Sequence, residues 1–262
     1  MRTFHKENYF SKEADLEYMS VSQWKLFNEC EAKALATIKG QENATEKEAF
    51  LEGHLFEELV AGDAKLYLAQ HPEMISSRGA TAGQLKSNFK TVENSAKRFN
   101  DQKFFRNIID KCEKQVILTG EIKGVKVKCC LDLFDKETNS IYDIKCMKDF
   151  KEQWSSKDKR YIPWYYANNY VLQLAVYREI VRQNFGEPKE IALLAASKEK
   201  TPDITAPTFS SELLDLELEE FKNSVDYFDA LKKGQTKMKP NRCECCDYCK
   251  STKIINSFEE VI

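Results

Sequence analysis

The stretch from Gly120 to Met147, GEIKGVKVKCCLDLFDKETNSIYDIKCM, constrains the fold more than any other part of the chain. Val125 to Phe134 and Ile141 to Cys146 alternate apolar and polar side chains, the pattern of strands. The DKETNS run between them is turn-rich, so an antiparallel hairpin is the simplest connection. With the first strand ending at Phe134 and the second starting at Ile141, Asp132 faces Asp143 across the hairpin at a Cβ separation of roughly 5 Å. Strand alternation puts Ile141, Asp143 and Lys145 on one side, and Tyr142, Ile144 and Cys146 on the other. A register slip of one residue would destroy that face, whereas a slip of two would keep it.

Two opposed carboxylates repel unless a cation lies between them. Opposed aspartates with a lysine two residues on are what a divalent-metal phosphodiesterase needs. The carboxylates hold Mg²⁺ or Mn²⁺, which activates water, and the lysine stabilises charge developing on the phosphate. A solvated hairpin face also carries charged residues, so the short motif requires a third ligand from elsewhere. A helix is expected from about Thr45 to Gln70. On its wheel Glu57 falls among Ala49, Phe50, Gly53, Val60 and Ala61, with His54 and Glu58 on a more polar side. A carboxylate in an apolar arc needs a partner, and Gly53, one turn earlier, leaves room for close approach. Glu57 is therefore the expected third ligand.

Around this centre the sequence reads as one α/β domain over residues 1–262 with a Cys-rich segment at about 240–253, since no shift in composition marks a second domain. One helix is expected from Ser20 or Ser22 through Trp24, Phe27 and Ala34 to about Ile38, with Cys30 inside it. One or two helices follow over Gln84 to Asp110, with Phe89, Val92, Ala96, Phe99, Phe104, Ile108 and Ile109 as the apolar set. Gln115 to Ile122 reads as a strand ending in a Lys123-Gly124 turn. Trp164 to Phe185 reads as a helix, on which Tyr170, Gln173 and Tyr177 share a face at i, i+3, i+7. Such a stripe usually packs in a core, although a buried glutamine must find partners. Ile191 to Ser197 reads as a buried strand and Glu212 to Lys233 as an acidic amphipathic helix.

A net charge of −2 argues against whole-surface attraction to nucleic acid, so affinity must come from patches. Two are basic: Lys145 to Arg160, with Trp154, Tyr161 and Trp164 as stacking partners, and Lys232 to Lys253. The N-terminal MRTFHKENYF lacks the apolar core of a signal peptide, and no apolar run approaches membrane-spanning length. A cytoplasmic protein without membrane contact is expected. His5 and His71 belong to no constellation.

Nine cysteines without a secretory signal argue against a disulfide framework. Cys243, Cys246 and Cys249 form C-x2-C-x2-C, with Cys245 as an extra. Zinc or a [4Fe–4S] cluster takes four ligands; Cys245 completes a zinc site, and Cys30 completes either. Cys112, Cys129, Cys130 and Cys146 read as packing residues.

A helix with Glu, a hairpin with Asp and D-x-K, then a helix with Gln and Tyr, together resemble the PD-(D/E)xK nuclease superfamily. The likeness is to its RecB-like branch and most to the phage and prophage exonuclease-VIII-like group. The matching segments are SQWKLFNECEAKALA, GHLFE, EKQVILTGEIKGVKVKCCLDLFD, IYDIKCM, YVLQLAVYREI and CECCDYCKSTK. The resemblance implies a restriction-endonuclease-like three-layer fold, a central mixed sheet flanked by helices. It implies Glu57, Asp132 and Asp143 as metal ligands, Lys145 as the catalytic lysine, and Gln173 and Tyr177 as the Q-x-x-x-Y element near the site and DNA. Many members carry histidine where this chain has Glu57; a carboxylate remains a competent ligand for Mg²⁺. The implied activity is Mg²⁺-dependent exonucleolytic hydrolysis of linear duplex DNA in recombination, with a single-strand annealing protein as partner and a ring-shaped homo-oligomer. Iron–sulfur nucleases of the same branch, such as the AddB subunit and CRISPR-adaptation nucleases, take one cysteine from the N-terminal segment and three from the C-terminus. Cys30 and the C-terminal triplet resemble that arrangement. The rival readings are an iron–sulfur nuclease of CRISPR adaptation or end processing, and a non-catalytic DNA-binding module with structural zinc.

Overall fold

The structure, a computed structural model, describes residues 6–41, 48–62, 64–156 and 158–256, without the side chains of Lys6 and Glu7. His5, Lys157 and the expected helix start at Thr45 lie outside them. Helices α1 (Lys6–Tyr9), α2 (Lys12–Glu17), α3 (Val21–Glu29), α4 (Glu31–Ile38), α5 (Glu48–Ala61), α6 (Lys65–Gln70), α7 (Ser87–Asn100) and α8 (Lys103–Lys111) come first. Strands β1 (Glu113–Ile122), β2 (Val125–Asp135) and β3 (Ser140–Met147) follow. A small hairpin, β4 (Gln153–Ser155) and β5 (Arg160–Ile162), leads to α9 (Trp164–Ala167) and α10 (Tyr170–Phe185). The chain continues through β6 (Ile191–Ser197), β7 (Ile204–Thr205), α11 (Ser211–Lys222), α12 (Val225–Lys232) and α13 (Asp247–Ser251).

The five-stranded sheet has the order β1-β2-β3-β6-β7. It is mixed: β2 runs antiparallel to β3, β3 parallel to β6, and β6 antiparallel to β7. Lys123 and Gly124, at φ 52° and 75°, make the tight turn from β1 to β2, the two-residue form whose twist suits a hairpin. The β2–β3 register pairs Phe134 with Ile141 and Leu133 with Tyr142, as the alternation predicts.

The chain divides into two compact units. One comprises Thr45–Leu118 and Cys130–Leu218. On one face of its sheet, Leu51, Leu55, Phe56 and Val60 of α5 pack with Phe89, Val92, Ala96 and Phe99 of α7 and Phe105, Ile108 and Ile109 of α8. They cover Leu133, Tyr142, Ile144, Ala192, Leu194 and Ala196 of the strands. Phe56 and Phe99, both fully buried, meet edge to face at 5.4 Å; each such ring contributes about 1.5–3 kcal/mol of burial. The opposite face receives α10, so this unit has three layers, helix, sheet and helix. The second unit comprises Met1–Ala44, Thr119–Cys129 and Glu219–Ile262. Its core stacks Phe27 on Phe228 at 5.1 Å and sets Trp24 against Phe221 at 5.8 Å. The Trp24 indole N–H donates to Ser224 Oγ at 2.9 Å.

Several expected helices are broken. The helix from Ser20 to Ile38 is two, α3 and α4, because Cys30 is extended (φ −165°, ψ 105°). Ser20 caps α3, its Oγ accepting the Gln23 N–H at 3.2 Å. The Thr45–Gln70 helix ends at Ala61, where Gly62 takes φ 95°. Trp164–Phe185 breaks because Asn169 is left-handed at φ 53°, a conformation asparagine tolerates. Glu212–Lys233 divides at Asn223 and Ser224. In α8 the buried ring is Phe105; Phe104 is 62% exposed. Lys232 is not part of a basic patch: it is buried and donates to Tyr18 O and Gln23 Oε1. Among the described residues no helix is long and apolar enough to cross a membrane.

Candidate active site

Asp143 lies at the middle of β3, a strand hydrogen-bonded on both sides, and is buried. The β2–β3 pairing runs from Asp135–Ser140 to Leu133–Tyr142, which brings Asp132 to the neighbourhood of Asp143. Just past that pairing the Ile144 N–H donates to Asp132 Oδ2 at 2.8 Å. That bond holds the Asp132 carboxylate beside Asp143. From α10 the Gln173 amide donates to Asp143 Oδ1 at 2.9 Å. Lys145 Nζ is 2.5 Å from Asp143 Oδ2 and 3.8 Å from Asp132 Oδ2. It donates to Ile144 O at 3.1 Å and lies 5.2 Å from the centre of the Tyr170 ring.

The electrostatics follow from this crowding. Burial, then the neighbouring Asp143 charge, push the Asp132 carboxyl well above the ordinary aspartate value. Burial disfavours the Lys145 ammonium, but Asp143 and Asp132 outweigh it and hold its pKa above the usual lysine value. Burial also raises the Tyr170 phenol, against the pull of Lys145.

Asp143 Oδ2 is buried, and the Lys145 ammonium 2.5 Å away is its ion-pair partner. Together with Asp132, Asp143 offers a hard, anionic oxygen pair, the donor type that Mg²⁺ or Mn²⁺ prefers. The residues present fit such an ion.

Glu57 is placed less tightly. Its side chain is 28% exposed on α5, with Oε2 3.7 Å from His54 Nδ1. Its charge contributes to the raised pKa of Asp132, so it is within electrostatic reach of the pair. Its oxygens and those of both aspartates do not all come within 4.8 Å of one another, a closeness found among the described residues only for four cysteines. The wheel also misplaced the core face of α5: Phe50 is 61% exposed, and Leu51, Leu55, Phe56 and Val60 are buried. The carboxylate on that face is Glu52, which pairs with Lys198 and accepts from Asn88 at 3.4 Å. A Cβ at Gly53 would meet nothing within 4 Å, so that space is open.

On α10 the stripe Tyr170, Gln173, Tyr177 is half-buried, while Val171, Leu172, Leu174, Ala175 and Val176 are buried. The stripe therefore borders the site rather than the core. Tyr177 lies one turn beyond Gln173. Tyr170 is the site residue that sequence reasoning passed over, although its place in the stripe was the available signal.

The model of a PDDEXK-like domain of unknown function (DUF3799) matches residues 20–252. This chain belongs to that family. It lies within the PD-(D/E)xK nuclease superfamily. The crystal structure of a "putative exonuclease" from Eubacterium rectale is similar, at 30% identity and a TM-score of 0.90, over 99% of this chain and 97% of that one. A structure of SSO0001, at 12% identity and a TM-score of 0.30 over 74% of this chain and 86% of that one, bears on no argument here. No curated protein matches.

The second unit of this PDDEXK-like chain holds a separate cluster. Cys30, Cys243, Cys246 and Cys249 bring their sulfurs within 4.8 Å of one another, a set able to bind a metal. Cys30 completes it; Cys245 is exposed and outside it.

Proposed function

We propose that this PDDEXK-like protein is a Mg²⁺-dependent deoxyribonuclease that degrades linear duplex DNA from its ends. The observation that carries the reading is the buried Asp143 carboxylate with Asp132 beside it and the Lys145 ammonium 2.5 Å from its Oδ2. Asp143 and Asp132 would hold the ion, with Glu57 as a further or water-bridged ligand. A bound Mg²⁺ supplies Lewis acidity, polarising the scissile phosphate and acidifying the attacking water. Gln173 fixes the Asp143 carboxylate, so that its other oxygen keeps one direction. The Lys145 ammonium stays charged between the carboxylates and is aimed at charge building on the phosphate. Tyr170 covers it and limits water. The name of the Eubacterium rectale relative supports exonucleolytic action. Incubating linear and covalently closed circular duplex with and without Mg²⁺ tests the proposal. Loss of linear DNA alone, and only with metal, is expected; nicked circles would make it an endonuclease, and intact DNA in every lane would refute hydrolysis.

The route for DNA is supported by the β4–β5 hairpin, where the sequence suggested a basic and aromatic linker. Trp154 and Tyr161, 55% and 63% exposed, sit edge to face at 5.4 Å across its strands. Lys148, Lys151, Lys159 and Arg160 are exposed around them. Trp164 is instead buried, between Phe150 at 5.2 Å and Tyr170 at 5.9 Å. The packing thus runs from the hairpin base to the ring that covers Lys145. Base stacking on an aromatic is worth about 1–3 kcal/mol. Replacing both Trp154 and Tyr161 by alanine is therefore expected to weaken DNA binding at least about tenfold, measured by anisotropy with Ca²⁺ in place of Mg²⁺. An unchanged affinity would remove the hairpin from the DNA path.

A further inference from the structure

The four clustered sulfurs are too close together for a multinuclear centre. Cys30 Sγ is 3.5 Å from Cys249 Sγ and 3.9 Å from Cys246 Sγ, and Cys243 Sγ is 4.0 Å from Cys249 Sγ. All four lie within 4.8 Å of each other. Thiolates bound tetrahedrally to one zinc at about 2.3 Å stand about 3.8 Å apart, the edge of that tetrahedron. A four-iron cubane places its own iron and sulfide atoms inside the ligand shell and spreads the four thiolates to roughly 6 Å. The observed separations straddle the first value and fall short of the second. We propose that Cys30, Cys243, Cys246 and Cys249 hold a single zinc ion, not the iron–sulfur cluster implied by the resemblance to iron–sulfur nucleases.

The surroundings are built for this. The extended backbone of Cys30 between α3 and α4 turns its sulfur, 5% exposed as a residue, toward Cys249, which is fully buried. Glu31 holds the opposite segment in place: its carboxylate accepts from Asn241 N at 2.7 Å, Asn241 Nδ2 at 3.0 Å and Tyr227 Oη at 3.1 Å. Glu244, at φ 56°, lets the chain turn between Cys243 and Cys246. The Cys246 N–H then donates to Cys243 Sγ at 3.3 Å, and the Cys249 N–H to Cys246 Sγ at 3.4 Å. Such amide donors stabilise thiolates and orient them as ligands. The Arg242 guanidinium donates to Cys249 O at 2.7 Å and Thr252 Oγ1 at 3.0 Å, closing the loop around the ion. With no open position, the ion would be structural, tying α4 to the chain's C-terminal segment.

Elemental analysis of the full-length protein, purified anaerobically, tests this without any activity measurement. The expected result is one zinc per chain, no acid-labile sulfide and a colourless solution. Cobalt exchange should give the visible ligand-field bands of a tetrahedral tetrathiolate. Cys245→Ser should keep the zinc, and Cys249→Ser should lose it to background. If Cys249→Ser does not fold, the wild-type and Cys245→Ser metal contents still decide. Four irons with labile sulfide, a single iron, no metal, or zinc retained in folded Cys249→Ser would each overturn the proposal.

Discussion

Asp143→Asn is expected to lower the rate of DNA cleavage by about a thousandfold or more, equivalent to roughly 4 kcal/mol of barrier. Asparagine has the same shape, and its Oδ1 still accepts from Gln173, so the strand and its neighbours should hold. What is lost is the negative charge on the buried carboxylate, the group best placed to bind a cation. Lys145 also loses its nearer partner but keeps Asp132 at 3.8 Å. The stability cost should therefore stay below the roughly 3–5 kcal/mol of a fully orphaned buried charge. Quenched-flow or gel assays at saturating Mg²⁺, with thermal melting as the folding control, measure both quantities. A folded variant that cleaves at the wild-type rate would leave the site without its central ligand.

Mg²⁺ is expected to stabilise the protein increasingly as the pH rises from weakly acidic to neutral. The folded Asp132 has its pKa raised above 3.8, the ordinary aspartate value, by burial and by Asp143. Its contribution to the stability of the metal-free protein is thus fully present below the unfolded carboxylate pKa. That contribution is lost as the pH rises through the raised folded value. The ion competes with that proton, so the same rise in pH that weakens the metal-free protein strengthens the metal complex. Lys145, with its pKa also raised, keeps its contribution throughout this window and loses it only in strong alkali. At free Mg²⁺ of a hundred times its dissociation constant, the gain is about 2.7 kcal/mol, or about 5–10 °C of melting temperature. Melting curves across pH, with and without Mg²⁺, should show the gain growing. Asp132→Asn should flatten its pH dependence; a gain that is equal at every pH, or untouched by that change, would argue against proton–metal competition at Asp132.

The two halves of the site differ in how legible they were. The start of the hairpin could be read residue by residue, because a strand's period of two is local: Phe134 meets Ile141 and Leu133 meets Tyr142, as the alternation predicts. The helices could not. The wheel of α5 assumed a core face that the sheet does not present, which placed Glu57 in an apolar arc that belongs instead to Leu51, Leu55 and Phe56. Helical periodicity gives a stripe but not the neighbour it faces; that neighbour comes from packing between distant segments.

By itself, then, the sequence determined the hairpin, its register, the shared face of Asp143 and Lys145, and the family to which these motifs point. It also determined that three cysteines near the C-terminus sought a fourth ligand. Only the tertiary structure decided that Cys30, not Cys245, joins their sulfurs, through an extended residue that splits a predicted helix. It alone drew Gln173 onto Asp143, brought Tyr170 to Lys145, and set the sulfur separations that distinguish one ion from a cluster. Strand alternation is enforced by the backbone of the segment itself, whereas helix breaks and ligand convergence are enforced by contacts between residues far apart in the chain.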